Sequence, residues 1–91
     1  MSSSDATLLR TGRFSFQQPV LLRPRLRLYP DRLELTGWRW FERYRRPIPF
    51  GRILQVDTTD GTLVVWLTDG RALRLSVDDA AEWREAVDAL L

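Results

Sequence analysis

The sequence of 91 residues contains no cysteine, no histidine and no lysine. Without cysteine and histidine it has no disulfide framework, no zinc site of the usual ligand sets, no thiol nucleophile and no imidazole base. Without lysine it also has no Schiff-base residue and no phosphate-binding lysine of the P-loop type. Catalysis would have to rely on carboxylates, hydroxyls, tyrosine and arginine alone, so we expect no enzyme, no cofactor and no metal site.

The acidic residues give no catalytic arrangement either. Asp57 and Asp60 flank a turn that ends at Gly61, and Asp78 with Asp79 stands where a helix is expected to begin. Carboxylates at a helix start stabilise the positive end of the helix dipole, which is explanation enough for the second pair. Neither the spacing of a calcium loop nor that of a glycine-rich phosphate loop is present. We therefore predict a binding protein.

Long apolar runs are missing as well. The longest wholly apolar stretch covers residues 63–67, far short of the roughly 20 residues that a membrane-spanning helix needs. Residues 1–6 are small and polar, without the pattern of a secretory signal, so we expect a disordered leader before a single domain at residues 7–91. The expected location is the cytoplasm. Abundant Arg, Ala, Leu and Asp, with no Lys or Asn, suggest a bacterial, GC-rich genome.

Arginine is the residue present in excess, and it is unevenly spread. All 14 basic residues are arginine, against 12 acidic residues, which leaves a formal net charge of +2. Residues 10–52 hold eleven arginines and three acids, whereas residues 53–91 hold three arginines and eight acids. An asymmetry of this kind points to an anionic partner or to self-association of opposite faces.

Alternation of apolar and polar residues predicts seven strands. The first centres on Phe14 and Phe16 and ends near Pro19. The others are expected over residues 22–29, from residue 33 onwards, and over residues 43–49, 53–58, 62–68 and 71–77. Asp-Gly pairs at positions 60–61 and 69–70 separate the last three, and Asp-Gly between alternating runs is the strongest short signal for a hairpin.

The third strand leaves one question of orientation open. Leu33 is expected to face inward and Glu34 outward. Strict alternation then puts Trp38 and Trp40 on the outward face, whereas a bulge at Gly37 would turn both indoles inward. The sequence alone does not decide between these two arrangements.

A C-terminal amphipathic helix follows Asp78 and Asp79, one of which is expected to cap it. Its apolar stripe consists of Trp83, Ala86, Val87 and Leu90. The predicted fold is a mainly-β α+β domain, in which a seven-stranded antiparallel bent sheet forms a partly open barrel that the helix closes.

Four stretches resemble bacterial pleckstrin-homology-like (PH-like) domains. They are LRLYPDRLEL at residues 26–35, PIPFGRILQVD at 47–57, TDGRALRL at 68–75 and DAAEWREAV at 79–87. With the order of the elements, the resemblance covers residues 13–91. It implies a binding scaffold. In the family, a tryptophan of the C-terminal helix packs against the open end of the barrel, and the resemblance implies this role for Trp83.

The segment at residues 38–46 contains four aromatic residues and four arginines. Interleaved aromatics and arginines are typical of protein interfaces, of nucleic-acid contacts and of membrane interfaces. The alternative is that Trp40 or Phe41 points into the barrel and the arginines only keep a hairpin soluble. The predicted protein-interaction residues are Trp38, Arg39, Trp40, Arg43, Tyr44, Arg45, Arg46 and, on a later strand, Trp66.

A second candidate site is a set of arginines near the first hairpin. The second strand is expected to carry Leu22, Leu26 and Leu28 on its core face and arginines on the other. The resemblance implies an anionic-ligand site here, because PH domains hold phosphoinositides with basic residues around this hairpin. Arg23-Pro24-Arg25 loosely matches their spaced basic pair, although the usual lysine is missing. The predicted residues are Arg10, Arg13, Arg23, Arg25 and Arg27; the alternative is a solvated strand face.

We therefore expect a non-catalytic PH-like module that mediates protein–protein interaction, with self-association as one form of it. The alternative function is binding of an anionic lipid of the phosphoinositide type, or of another polyanion, through the arginine-rich N-terminal half. Nucleic acid is a disfavoured partner, because the acidic C-terminal half would repel a long polyanion.

Overall fold

The computed structural model describes residues 8–15 and 21–91. These residues form eight antiparallel strands in two four-stranded sheets and one C-terminal helix. The strands are β1 (Arg10–Gly12), β2 (Phe14–Ser15), β3 (Leu22–Leu28), β4 (Arg32–Arg39), β5 (Glu42–Pro49), β6 (Ile53–Thr59), β7 (Thr62–Leu67) and β8 (Ala72–Val77), and helix α1 spans Ala80–Asp88. The predicted mainly-β α+β class with one C-terminal helix is confirmed.

The described residues contain one strand more than predicted, because the N-terminal strand is divided between the sheets. β1 pairs with β3 in the first sheet, whose order is β1-β3-β4-β5, and β2 pairs with β8 in the second, whose order is β2-β8-β7-β6. Arg13 lies at the crossing. The two sheets do not close into a barrel. The predicted strand residues Phe16 and Pro19, and the leader at residues 1–6, lie outside the described residues.

The core lies between the two sheets and beneath the helix. Leu33 and Leu35 of β4 and Leu63 and Val65 of β7 are fully buried in one cluster, together with Val87 of α1. Their period-two spacing on the strands is the pattern that the sequence shows. Burial of these side chains is the main driving force for bringing the two sheets together.

Gly37 does not form a bulge, and β4 keeps strict alternation up to Arg39. Its pairing with β5 runs without a register shift, so Trp38 stays on the outward face with Glu34. A Cβ atom at position 37 would lie 3.2 Å from the Cβ of Leu21 and 3.3 Å from the carbonyl oxygen of Leu22. A side chain here would therefore require the neighbouring chain to move by a few tenths of an ångström.

Glu34 faces outward as predicted, but it is only 4% exposed. Arg45 donates to its Oε2 from Nη2 at 3.0 Å and from Nε at 3.2 Å, and the Nε of Arg32 lies 3.5 Å away. Long arginine side chains can cover a sheet surface with their apolar stems while their guanidinium groups stay hydrated. The outward face of the first sheet is thus covered by arginines.

Leu22 is exposed, which corrects its predicted place on the core face. The register between β3 and β4 shifts between Leu22 and Arg25, and Arg23 within this bulge has a φ of 51°. A bulge adds a residue to one strand and turns the side chains that precede it to the other side. The prediction for Leu22 is wrong because strict alternation does not hold across the bulge.

Helix α1 packs against β6 and β7 and is held to β1 by Trp83. Trp83 is 2% exposed, and a Cβ atom at Gly12 would lie only 3.1 Å from its Cζ2 atom. The guanidinium group of Arg10 lies over the indole, 5.1 Å from the ring centroid, and forms ion pairs with Asp79 at 3.7 Å and Glu82 at 3.9 Å. Asp79 occupies the N-cap position without a capping hydrogen bond.

Candidate functional site

The uneven charge of the sequence becomes a difference between the two sheets. β1, β3, β4 and β5 all come from residues 10–52, where eleven of the fourteen arginines lie. β6, β7, β8 and α1 come from residues 53–91, which hold eight of the twelve acids. Only the two-residue strand β2 crosses between them. The first sheet is therefore basic, and the second sheet with the helix is acidic.

The β4–β5 hairpin ends in a two-residue turn of aromatic residues. Arg39 pairs with Glu42, so that Trp40 and Phe41 form the turn itself. Trp40 is 84% exposed, Phe41 is 96% exposed and Trp38 is 45% exposed. We refer to residues 38–43 as the hairpin tip. Its aromatic side chains are exposed, so the alternative in which Trp40 or Phe41 points into the barrel does not occur.

The backbone of this turn is strained. Trp40 has a φ of 57°, in the left-handed region that costs a bulky L-residue about 1 kcal/mol or more. The β6–β7 hairpin has a turn of the same length, between paired Thr59 and Thr62, and it uses Asp60 and Gly61, with φ values of 47° and 76°. Asp and Gly are residues that tolerate this conformation. The chain thus contains a favoured turn at one hairpin and an unfavoured aromatic turn at the other.

Three arginines converge beside the start of β3. A cleft of about 810 Å³ opens where β2, β3 and β8 meet, and Arg13, Arg23 and Arg25 line it. The remaining lining residues are Phe14, Ser15, Pro24, Ser76, Val77 and Asp78. We refer to this as the arginine cleft. Asp78 is its one carboxylate among the described residues.

The hairpin tip and the arginine cleft lie at the same end of the first sheet. Leu22, at the start of β3, pairs with Trp38, and Trp38 pairs with Arg43 of β5. The start of β3 therefore has the hairpin on one side and the cleft on the other. We refer to the hairpin tip, Leu22 and the arginine cleft together as the basic end.

The arginines of the basic end form no ion pair with the described part of the chain. The ion pairs between described residues use other arginines: Arg10, Arg32, Arg45, Arg71 and Arg84. The five at the basic end take part in none of them. These five are Arg13, Arg23, Arg25, Arg39 and Arg43. Their guanidinium groups are fixed cations with several donors each, suited to phosphate and carboxylate groups.

Two arginines of the predicted anionic-ligand set lie elsewhere. Arg10 is engaged with Trp83 and the start of α1, as described above. Arg27 lies two positions after Arg25 on β3, further from the cleft, and its cross-strand neighbour is Glu34. Three of the five predicted arginines are therefore brought together.

Half of the predicted protein-interaction residues are also placed elsewhere. Tyr44 lies opposite Gly37 and packs against the core, and Arg45 is engaged with Glu34. Arg46 lines a separate cleft of about 350 Å³. Trp66 lies in the second sheet on the face opposite Leu63 and Val65, with Gln55 and Ala72 as its cross-strand neighbours. Trp38, Arg39, Trp40 and Arg43 remain together at the hairpin tip.

Two exposed apolar residues of the basic end are absent from both predicted sets. Phe41 enters the sequence analysis only in the alternative in which Trp40 or Phe41 points into the barrel, and alternation places Leu22 on the core face. A turn of Trp and Phe carries none of the Gly, Asn, Asp or Pro residues that mark turns, so propensity could not locate it. Alternation continued from Leu33 places Trp38 outward but would turn Phe41 inward, so it gives no signal for the exposure of Phe41.

Two kinds of feature are absent from the described residues. In residues 8–15 and 21–91, no three acidic side chains are grouped so that they could hold a metal ion. The same residues include no helix with the length and hydrophobicity required to cross a membrane. Comparison of the chain with protein-family models, with curated proteins and with solved structures found no match.

Proposed function

We propose that this chain is a non-catalytic binding module of PH-like architecture that binds an anionic partner through its basic end. The observation that carries the proposal is the grouping of Arg13, Arg23 and Arg25 around one cleft, without an ion-pair partner among the described residues. Arg39 and Arg43, which have none either, lie in the hairpin at the same end of the first sheet. Unpaired guanidinium groups close together repel each other, and an anion relieves that repulsion. Both predicted sites contribute residues to this one surface.

Three structural features support the PH-like part of the proposal. The chain forms two four-stranded antiparallel sheets, the N-terminal strand passes from one to the other, and a C-terminal helix packs over them. Trp83 of that helix is buried at the crossing of the N-terminal strand, beside Gly12. This corresponds to the role that the resemblance implies for the helical tryptophan.

The test is calorimetric titration with inorganic tripolyphosphate at low salt. Replacing Arg23 and Arg25 by serine should lower the affinity roughly tenfold or more, because each removes charge-assisted hydrogen bonds. The matched control replaces Arg52 and Arg74, which are also exposed and outside the described ion pairs, and removes the same charge. The control should change the affinity by less than about threefold, since charges distant from the site are screened.

Two results would contradict this proposal. If wild-type protein binds no tripolyphosphate at low salt, the basic end is not an anion-binding surface. If the two double variants lose affinity equally, binding follows net charge and not the geometry of the cleft. Thermal unfolding of both variants provides the check that all four positions are dispensable for folding.

An acidic protein surface is the second candidate partner, and the charge difference between the sheets favours it. The basic end of one copy could meet the acidic sheet and helix of another, where Asp60, Asp78, Asp79 and Glu82 line a cleft of about 390 Å³. Such contacts are heterologous and produce rings or chains. Light scattering should then show a mass that rises with protein concentration and falls between about 0.1 M and 1 M salt. A monomer under all these conditions would exclude a second copy as partner.

A further inference from the structure

The hairpin tip presents aromatic surface that nothing in the described chain covers. Trp40 and Phe41 are almost fully exposed at the apex, and Trp38 with its cross-strand neighbour Leu22 continues the apolar surface about 7 Å behind them. Exposed aromatics grouped in this way mark contact sites on soluble proteins.

The backbone strain at the aromatic turn indicates that its exposed side chains serve a contact outside the domain. Trp40 has a positive φ at the first position of its two-residue turn. In the β6–β7 turn, which has the same length, this position is occupied by Asp60. The indole gains no packing in the free domain in return. Strain without an internal compensation is expected at positions that serve binding.

The shape and charge of the tip favour a bilayer over a protein as the occupant. A standard protein interface buries about 800 Å² per partner, and a convex two-residue apex offers little of that area. A bilayer interface deforms around a convex tip and accommodates indole and phenyl rings at the boundary between headgroups and acyl chains. Arg39 and Arg43 flank the apex at the level where lipid phosphates would lie, and Glu42 is the one acid of the tip.

Resting on the proposed function, we infer that the anionic partner is a phospholipid bilayer and that Trp40 and Phe41 insert into its interfacial region. The arginines of the basic end then lie among the phosphates. Insertion adds an apolar contribution to the electrostatic attraction. The electrostatic part weakens with salt, while the apolar part persists.

The binding experiment uses the full chain with vesicles of phosphatidylcholine, alone or mixed with phosphatidylglycerol. The wild type should sediment with the acidic vesicles. Replacing Trp40 and Phe41 by serine should weaken that binding roughly tenfold or more, because the variant lacks the two aromatic side chains whose transfer from water into the bilayer favours binding. Leu54→Ser is the matched control, since Leu54 is an exposed apolar residue on the second sheet. It should bind like the wild type.

Insertion itself is measured by tryptophan fluorescence. In a variant with Trp38 and Trp66 replaced by phenylalanine, the indoles left are Trp40 and the buried Trp83. Acidic vesicles should shift the emission to the blue, and lipids brominated near the headgroup end of the acyl chain should quench it. Trp40→Phe in the same background should abolish both signals while it keeps the aromatic anchor and the binding.

The outcomes separate this inference from the proposed function. Salt-sensitive binding to acidic vesicles without a blue shift or quenching would overturn insertion and leave an electrostatic contact. Binding of tripolyphosphate without vesicle binding would overturn the bilayer and point to a protein or a free anion. Failure to bind either probe would overturn the proposed function as well.

Discussion

Replacing Trp40 by asparagine is expected to stabilise the free domain. Trp40 has a φ of 57°, and asparagine enters this left-handed region far more readily than other residues with a side chain. The indole contributes almost nothing to the folded state, because an exposure of 84% is within the range that an unfolded chain shows. Relief of strain is therefore not offset by lost packing.

The size of the effect follows from the conformational cost. A left-handed backbone costs an ordinary L-residue about 1–2 kcal/mol, and we expect asparagine to recover about 1 kcal/mol of it. For a domain of this size, that corresponds to a rise in Tm of roughly 4–8 °C. Trp40→Ala is the control, since alanine removes the indole but retains a Cβ atom and most of the strain.

Thermal unfolding followed by circular dichroism measures the difference between the variants. Trp40→Asn should unfold several degrees above the wild type, and Trp40→Ala should unfold close to it. A lower Tm for Trp40→Asn would show that the indole packs in the free domain. Equal shifts for both variants would show that backbone strain is not the cause. Either result would refute the reasoning about the turn.

Three further substitutions test the packing that supports the site, each by urea-induced unfolding. Trp83→Ala should cost about 3–5 kcal/mol, because it empties the contact between α1 and β1; a loss below about 1 kcal/mol would contradict that role. Gly12→Ala should cost about 1–3 kcal/mol, because its Cβ would lie 3.1 Å from Trp83, and a neutral result would mean that the indole moves freely. Glu34→Gln should cost about 1–3 kcal/mol, because Arg45 and Arg32 lose a charged acceptor, whereas unchanged stability would show that water replaces it.

The elements that local chemistry specifies were predictable from the sequence. The Asp-Gly pairs are found in the connections of the last two hairpins, and the apolar stripe around Trp83 and Val87 gave the helix and its buried face. Alternation also assigned the core positions of β4 and β7. In each case the signal lies within a few residues, so no knowledge of tertiary contacts was needed.

Features that depend on distant contacts were not predictable in this way. The division of the N-terminal strand depends on which sheet each part joins, and on Trp83 packing beside Gly12 from the far end of the chain. The burial of Glu34 depends on Arg45, eleven residues away. Such pairings arise only when the sheet forms, because no local pattern encodes them.

The basic end was predicted in parts but not as one surface. The arginines and the aromatic segment both stand out in the sequence, where they form two competing candidate sites. The arginines and the aromatic segment form one surface because the strand register places Leu22 beside Trp38. The bulge in β3 also exposes Leu22 and repositions Arg23. Register and bulges are set by whole strands, so the sequence pattern of either segment could not show it.

The most direct test of the basic end as the binding surface is a backbone amide NMR titration of the wild-type chain with tripolyphosphate. The account predicts that chemical-shift changes concentrate at residues 13–15, 22–25 and 76–78 around the arginine cleft, with smaller changes at the hairpin tip. The changes should diminish as salt screens the arginines. Changes centred on β6, β7 or α1, or changes spread evenly over the chain, would contradict it.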